Sequence, residues 1–284
     1  MKNLLLLTAS LLLANSATAQ SCDRDCLRGM ITQYLDALVK HDPDALPLAA
    51  DLRFTEDSLE MQLGEGLWQG IESLGVFRQD VLDVRNSTAG VHVLAMENGV
   101  PVLVAVRLKI ADNKIAEVES TVVRSREEGM IFNPDAIKEA SAAMNVTPTP
   151  AQRNSRKEME RLALLYPEGL RVGSFVTADA QFAEDAYRFE NGQLMAGPGC
   201  SFMEGCDKIR EQRLPTLAGI TARVAAVDEE QGIVWLRMNF GPGSLMRGEG
   251  ELSVWEMFKI YDGKIQAVEA FMEEVPAGTP FGWD

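Results

Sequence analysis

Leu108-Lys109-Ile110-Ala111-Asp112-Asn113-Lys114-Ile115 and Phe258-Lys259-Ile260-Tyr261-Asp262-Gly263-Lys264-Ile265 repeat one another at an offset of 150 residues. The match runs on through Val118-Glu119 and Val268-Glu269. Each octet reads as a strand, a tight turn and a returning strand, because Asp-Asn or Asp-Gly supplies the positive φ of a two-residue hairpin. The same hairpin occurring twice marks a duplication.

Two upstream matches support it. Ala50 to Asp57 aligns with Ala178 to Asp185 at an offset of 128, and Val91 to Gly99 with Ile233 to Gly241 at 142. The offsets grow along the chain, so the second copy carries insertions, one near the loop composition of Gly197-Pro198-Gly199-Cys200. Each copy is expected to run helix, short strand, helix and then an antiparallel meander. Helices are expected over Leu27 to Val39 and Ile71 to Val81 in the first copy, and over Ser155 to Leu165 and Cys206 to Leu214 in the second. The boundaries are 20–126 and 153–284, with 127–152 as a linker that has room for a short helix from Pro134 to Met144.

Ahead of both copies, Met1-Lys2-Asn3, an apolar run from Leu4 to Leu13 and the ending Ala17-Thr18-Ala19 form the pattern of a signal peptide, 1–19, cleaved after Ala19. A periplasmic or secreted location is therefore expected. No later segment approaches the roughly 20 apolar residues of a membrane span. The formal net charge of −15, spread without a basic block, argues against nucleic acid and anionic membrane surfaces as partners. The cysteines Cys22, Cys26, Cys200 and Cys206 suit an oxidising compartment. Two local bridges are the simplest pairing; a long-range pairing and a four-cysteine zinc site stay open.

The ordered set Tyr34-Leu35-Asp36-Ala37-Leu38-Val39-Lys40-His41-Asp42, then Phe54-Thr55-Glu56-Asp57, then the Asp-Asn-Lys-Ile hairpin resembles the nuclear transport factor 2-like, SnoaL-like or ketosteroid-isomerase-like superfamily. That resemblance implies an α+β fold of two tandem cones, each a curved antiparallel sheet wrapped around N-terminal helices. It also implies a pocket for a small-molecule ligand. The superfamily holds both enzymes and silent binders, so fold alone does not choose a function. The resemblance puts Tyr34 where a tyrosine stabilises an oxyanion and Glu56, with Glu184 as its second-copy counterpart, where a carboxylate acts as general base. The family's second oxyanion acid falls on Ala105 and Trp255, and Leu162 stands at the distance matching Tyr34.

Strand alternation puts Ile233, Trp235, Arg237 and Asn239 on one face and Trp255, Met257 and Lys259 on one face of the next strand. By the family pattern these faces point into the cone, where aromatic walls around Arg237 suit an aromatic or carboxylate-bearing ligand; in the first copy the residue of interest is Arg107, at the position of Met257. Glu119 and Glu269 recur at one place in both copies, as interface residues are expected to. His41 and His92 have no third ligand at metal spacing, so no metal is expected. Neither Gly241-Pro242-Gly243-Ser244 nor Gly197-Pro198-Gly199 has the ending of a phosphate loop, so no cofactor is expected either. The sequence thus points to a cofactor-independent acid–base enzyme of isomerase, dehydratase or lyase type acting on a small hydrophobic or aromatic molecule. The other reading is a non-catalytic ligand-binding or interaction module. The repeats are free to pack on each other, and a homo-oligomer stays open.

Overall fold

The computed structural model describes residues 22–201, 203–242 and 250–283; the expected signal peptide lies outside them. Helix α1 (Arg24–Val39) precedes β1 (Leu48–Glu56), β2 (Leu59–Glu60), the one-turn α2 (Leu67–Gly70), β3 (Ile71–Asp83), β4 (Thr88–Glu97), β5 (Val100–Ala111) and β6 (Lys114–Val123). After the short α3 (Arg126–Gly129), the order recurs as α4 (Arg156–Val172), β7 (Phe182–Glu190), β8 (Gln193–Ala196), β9 (Thr221–Asp228), β10 (Ile233–Asn239), β11 (Glu251–Tyr261) and β12 (Lys264–Val275). Two six-stranded sheets result, β2-β1-β6-β5-β4-β3 and β8-β7-β12-β11-β10-β9. The duplicated α+β fold of two tandem cones is thus present, with one parallel pair in each sheet, β1 with β6 and β7 with β12. The repeated hairpins turn at Asp112-Asn113 and Asp262-Gly263, all four at positive φ.

One face of each sheet wraps its own helix. Leu27, Ile31, Tyr34, Leu35 and Leu38 of α1 join Val91, Val104, Val106 and Leu108, while Met159, Leu162, Tyr166 and Leu170 of α4 join Val234, Leu236, Val254 and Phe258. The other faces pack on each other, bringing Phe77, Leu103 and Ala105 against Trp235, Trp255 and Met257. A Cβ on Gly90 would lie 2.2 Å from the Trp235 ring, so glycine is what admits the indole.

Several expectations change. Ile71 to Val81 is not a helix but most of β3, held by pairing with β4. Cys206 to Leu214 contains only the single 3-10 turn Ile209–Glu211, and the expected linker helix from Pro134 to Met144 is reduced to the 3-10 turn Pro134–Ala136. Both disulfides are local, Cys22–Cys26 and Cys200–Cys206, which leaves no four-thiolate zinc site. Among the described residues no helix is long and apolar enough to cross a membrane.

The halves meet with pseudo-twofold reciprocity. Asp228 accepts both Arg24 Nη atoms at 2.7 and 2.9 Å and the Leu82 amide at 3.1 Å. Asp83 accepts both Arg156 Nη atoms at 2.9 and 2.7 Å and the Val227 amide at 2.9 Å. Both carboxylates are fully buried. Deleting either would strand a guanidinium and a buried amide, so Asp83→Ala and Asp228→Ala should each lower stability by about 3–5 kcal/mol in urea denaturation. The two losses should be similar in size.

Candidate functional site

The helix caps and the sheet register set the true correspondence between the copies. Asp23 and Ser155 cap their helices through side-chain acceptors, so α1 and α4 superpose at an offset of 132 and Tyr34 falls on Tyr166, not on Leu162. Along the parallel pairs, Phe54 faces Val118 and Glu56 faces Ser120, as Arg188 faces Val268 and Glu190 faces Ala270. Glu56 therefore matches Glu190, and Phe54 matches Arg188. Glu184, the expected counterpart, is exposed on β7.

In the first cone, Tyr34 and Glu56 flank one short segment. The Tyr34 hydroxyl accepts Trp68 Nε1 at 3.3 Å, and its ring meets the Trp68 ring edge-on at 5.5 Å. Glu56 accepts the Leu67 amide at 2.9 Å and Arg124 Nη2 at 2.9 Å, with Arg124 also bound to Glu97 and Asp57. Gly66, at φ 63, passes so close to Glu56 that a Cβ there would lie 2.5 Å from Oε1. Burial raises the Glu56 carboxyl while the Leu67 amide and Arg124 oppose the shift. These contacts fix Glu56 as the anchor of α2, with the Trp68 side chain buried beside Tyr34.

The second cone is built differently. Val254, Glu256 and Phe258 of β11 point inward, one residue out of step with the expected face. Tyr166 accepts Arg188 Nη1 at 3.2 Å, and Arg188 Nε lies 2.8 Å from Glu190 Oε1. The Tyr166 ring is enclosed by Phe175, Phe182 and Phe258 at 5.0, 6.4 and 5.0 Å between centroids. Glu256 is buried with Oε2 unpartnered. Burial, reinforced by the Glu190 charge and opposed by Arg188 and the Tyr166 hydroxyl, pushes its carboxyl up to about 8. Burial also raises the Tyr166 phenol well above its ordinary value. The arrangement combines a carboxyl that holds its proton, a phenol, a guanidinium and a second glutamate beside an aromatic shell. Such a set can donate to an oxyanion and move a proton.

The remaining expected site residues lie between the sheets, not inside a cone. Trp235 Nε1 donates to His92 Nε2 at 3.1 Å and Trp255 Nε1 to Thr121 Oγ1 at 3.1 Å. Burial lowers His92 to about 3, so it is a neutral acceptor. Arg237 donates to Ser58 Oγ at 2.7 Å and lies 5.3 Å from the Trp255 ring; Met257 is buried in the same layer. Asn239 is held by Glu251 and the Gly241 amide. Arg107 donates to Glu119, which also accepts Arg223 of the other half. The expected faces were in the wrong phase because both sheet faces are apolar, so alternation alone does not say which face meets the helix. The signal that locates Tyr166 and Glu256 is the pair of helix caps together with the inward series Val254-Glu256-Phe258.

Residues 152–272 match a family described as a domain of unknown function, DUF8021. No curated protein matches the chain. Among solved structures, the chain is similar to an NTF2-like protein of unknown function from Cytophaga hutchinsonii, with 11% identity over 35% of this chain and 90% of that one, at a TM-score of 0.29. It is also similar to a protein from Sinorhizobium meliloti provisionally assigned as a polyketide cyclase (21% identity, 32% and 93% covered, TM-score 0.27). A de novo designed protein with a curved β-sheet is a third (19% identity, 35% and 87% covered, TM-score 0.31).

Because folded Glu256 holds its proton to about 8 against 4.5 for an ordinary glutamate, its contribution to stability is fully present below pH 4.5 and is lost as pH rises to about 8. The stability of Glu256→Gln minus that of wild type should therefore increase across that window and level off above it. Urea titrations at a series of pH values measure this; a difference independent of pH would mean that Glu256 is ionised throughout.

Proposed function

We propose that this chain is an exported, cofactor-independent acid–base enzyme of isomerase, dehydratase or lyase type whose chemistry takes place in the second cone. The observation that carries the reading is the buried Glu256 carboxyl, with one oxygen unpartnered, beside Tyr166, Arg188 and Glu190. In this reading neutral Glu256 and the Tyr166 hydroxyl donate to the oxygen on which negative charge develops. Glu190, ion-paired with Arg188, takes and returns the proton. Phe175, Phe182 and Phe258 favour a small hydrophobic or aromatic substrate bearing a carbonyl.

The first cone serves as the packing partner. Its positions matching Arg188 and Glu256 carry Phe54 and Val106, and Trp68 occupies the space beside Tyr34. Export is supported by the N-terminal signal pattern and by two disulfides, which persist in oxidising compartments.

The test is a thermal-shift screen of small aromatic, terpenoid and steroid carbonyl compounds, followed by turnover assays on the hits. Glu256→Gln and Tyr166→Phe are each expected to lower kcat by roughly 10²–10³ with binding retained, as for loss of an oxyanion donor. Glu56→Gln should act on stability instead. Binding without turnover in wild type would replace the enzyme with the non-catalytic ligand-binding module.

A further inference from the structure

Away from the cones, a cleft of about 210 Å3 opens between the two halves, walled by Phe77, Phe189 and Phe271 and including Glu269, with Ala136 and Glu139 at its exposed edge. The rings form two groups: Phe77 and Phe271 are 6.0 Å apart, and Phe189 meets Tyr187 at 5.3 Å. Its lining contains two glutamates and no lysine or arginine. Glu269 accepts the Tyr187 hydroxyl at 3.1 Å, and Tyr187 in turn bonds Ser141. No ion pair engages Glu269 among the described residues, and burial raises its carboxyl, so a cation beside it would favour the ionised form.

The internal symmetry indicates what such a place accepts. In the parallel registers, Glu119 and Arg53 stand where Glu269 and Tyr187 stand in the other half. There the carboxylate is engaged by nitrogen donors from the chain itself, and an aromatic ring covers the neighbouring Arg53. The Trp283 amide donates to Glu119 at 3.1 Å, Arg223 and Arg107 donate at 2.5 and 2.9 Å, and the Trp283 ring lies 3.4 Å from the Arg53 guanidinium carbon. At Glu269, among the described residues, hydroxyl groups alone reach the carboxyl, and three phenylalanines line the adjoining cleft.

We infer that the Glu269 cleft binds a small aryl-alkyl ammonium, its ring among Phe77, Phe189 and Phe271 and its charged nitrogen on Glu269. Aromatic faces and a poorly solvated carboxylate both favour a cation over its neutral analogue. The site is separate from the second cone and does not depend on the chemistry proposed there.

Calorimetric titration of the full chain with 2-phenylethylammonium should give saturable 1:1 binding, at least about tenfold tighter than 2-phenylethanol. Glu269→Gln and Phe189→Ala should each weaken it by about tenfold. Phe189 is only half-buried, so its variant tests the site even if Glu269→Gln fails to fold. Equal binding of the alcohol, undiminished binding by a folded variant, or no saturable binding to wild type would overturn the inference.

Discussion

Two buried aspartates, Asp83 and Asp228, hold the halves of the molecule in a fixed relation. Each takes a two-pronged arginine from its own half's partner and a backbone amide from the opposite strand end, Arg156 with Val227 in one case and Arg24 with Leu82 in the other. A buried carboxylate is tolerable only when its oxygens are satisfied, and here the duplicated sequence supplies the same donors twice. The result is the self-complementary geometry of a twofold interface built within one chain. Once that clasp is in place, the outer sheet faces must oppose each other, and Trp235 settles over Gly90.

This arrangement divides labour between the sheet faces. The outer faces, with Trp235, Trp255, Arg237 and Arg107, are committed to joining the halves. Only the inner faces remain for a cone site. There the copies differ in kind: Glu56 is bound to the Leu67 amide and Arg124 as a structural anchor, whereas Glu256 keeps an oxygen unpartnered in an aromatic surround. The same symmetry leaves one interface corner occupied by Trp283 and its counterpart, at Glu269, open as a cleft.

The tyrosines show how small errors in correspondence move a site. Matching by residue likeness put Leu162 opposite Tyr34 and Glu184 opposite Glu56, because short segments such as Phe54-Thr55-Glu56-Asp57 and Phe182-Ala183-Glu184-Asp185 look alike. Hydrogen-bonded register replaces these with Tyr166 and Glu190. A single step along β11 likewise separates Trp255, in the interface, from Glu256, in the cone. Period-two alternation carries the information that neighbours face opposite ways, but not which way is inward when both faces are buried.

By itself the sequence determined the duplication, the two hairpins and the first helix of each copy, because these rest on local chemistry: positive φ at Asp112-Asn113 and Asp262-Gly263, and an apolar helical stripe capped by Asp23 or Ser155. Short cysteine spacings also made the two local bridges the simplest pairing, and both are formed. Only the tertiary structure decided that Ile71–Asp83 is a strand, that Trp235 and Arg237 belong between the halves, and that Tyr166, Arg188, Glu190 and Glu256 share one interior. Those outcomes depend on which buried face meets which partner, a choice made by contacts between residues more than 100 positions apart, such as Arg24 with Asp228.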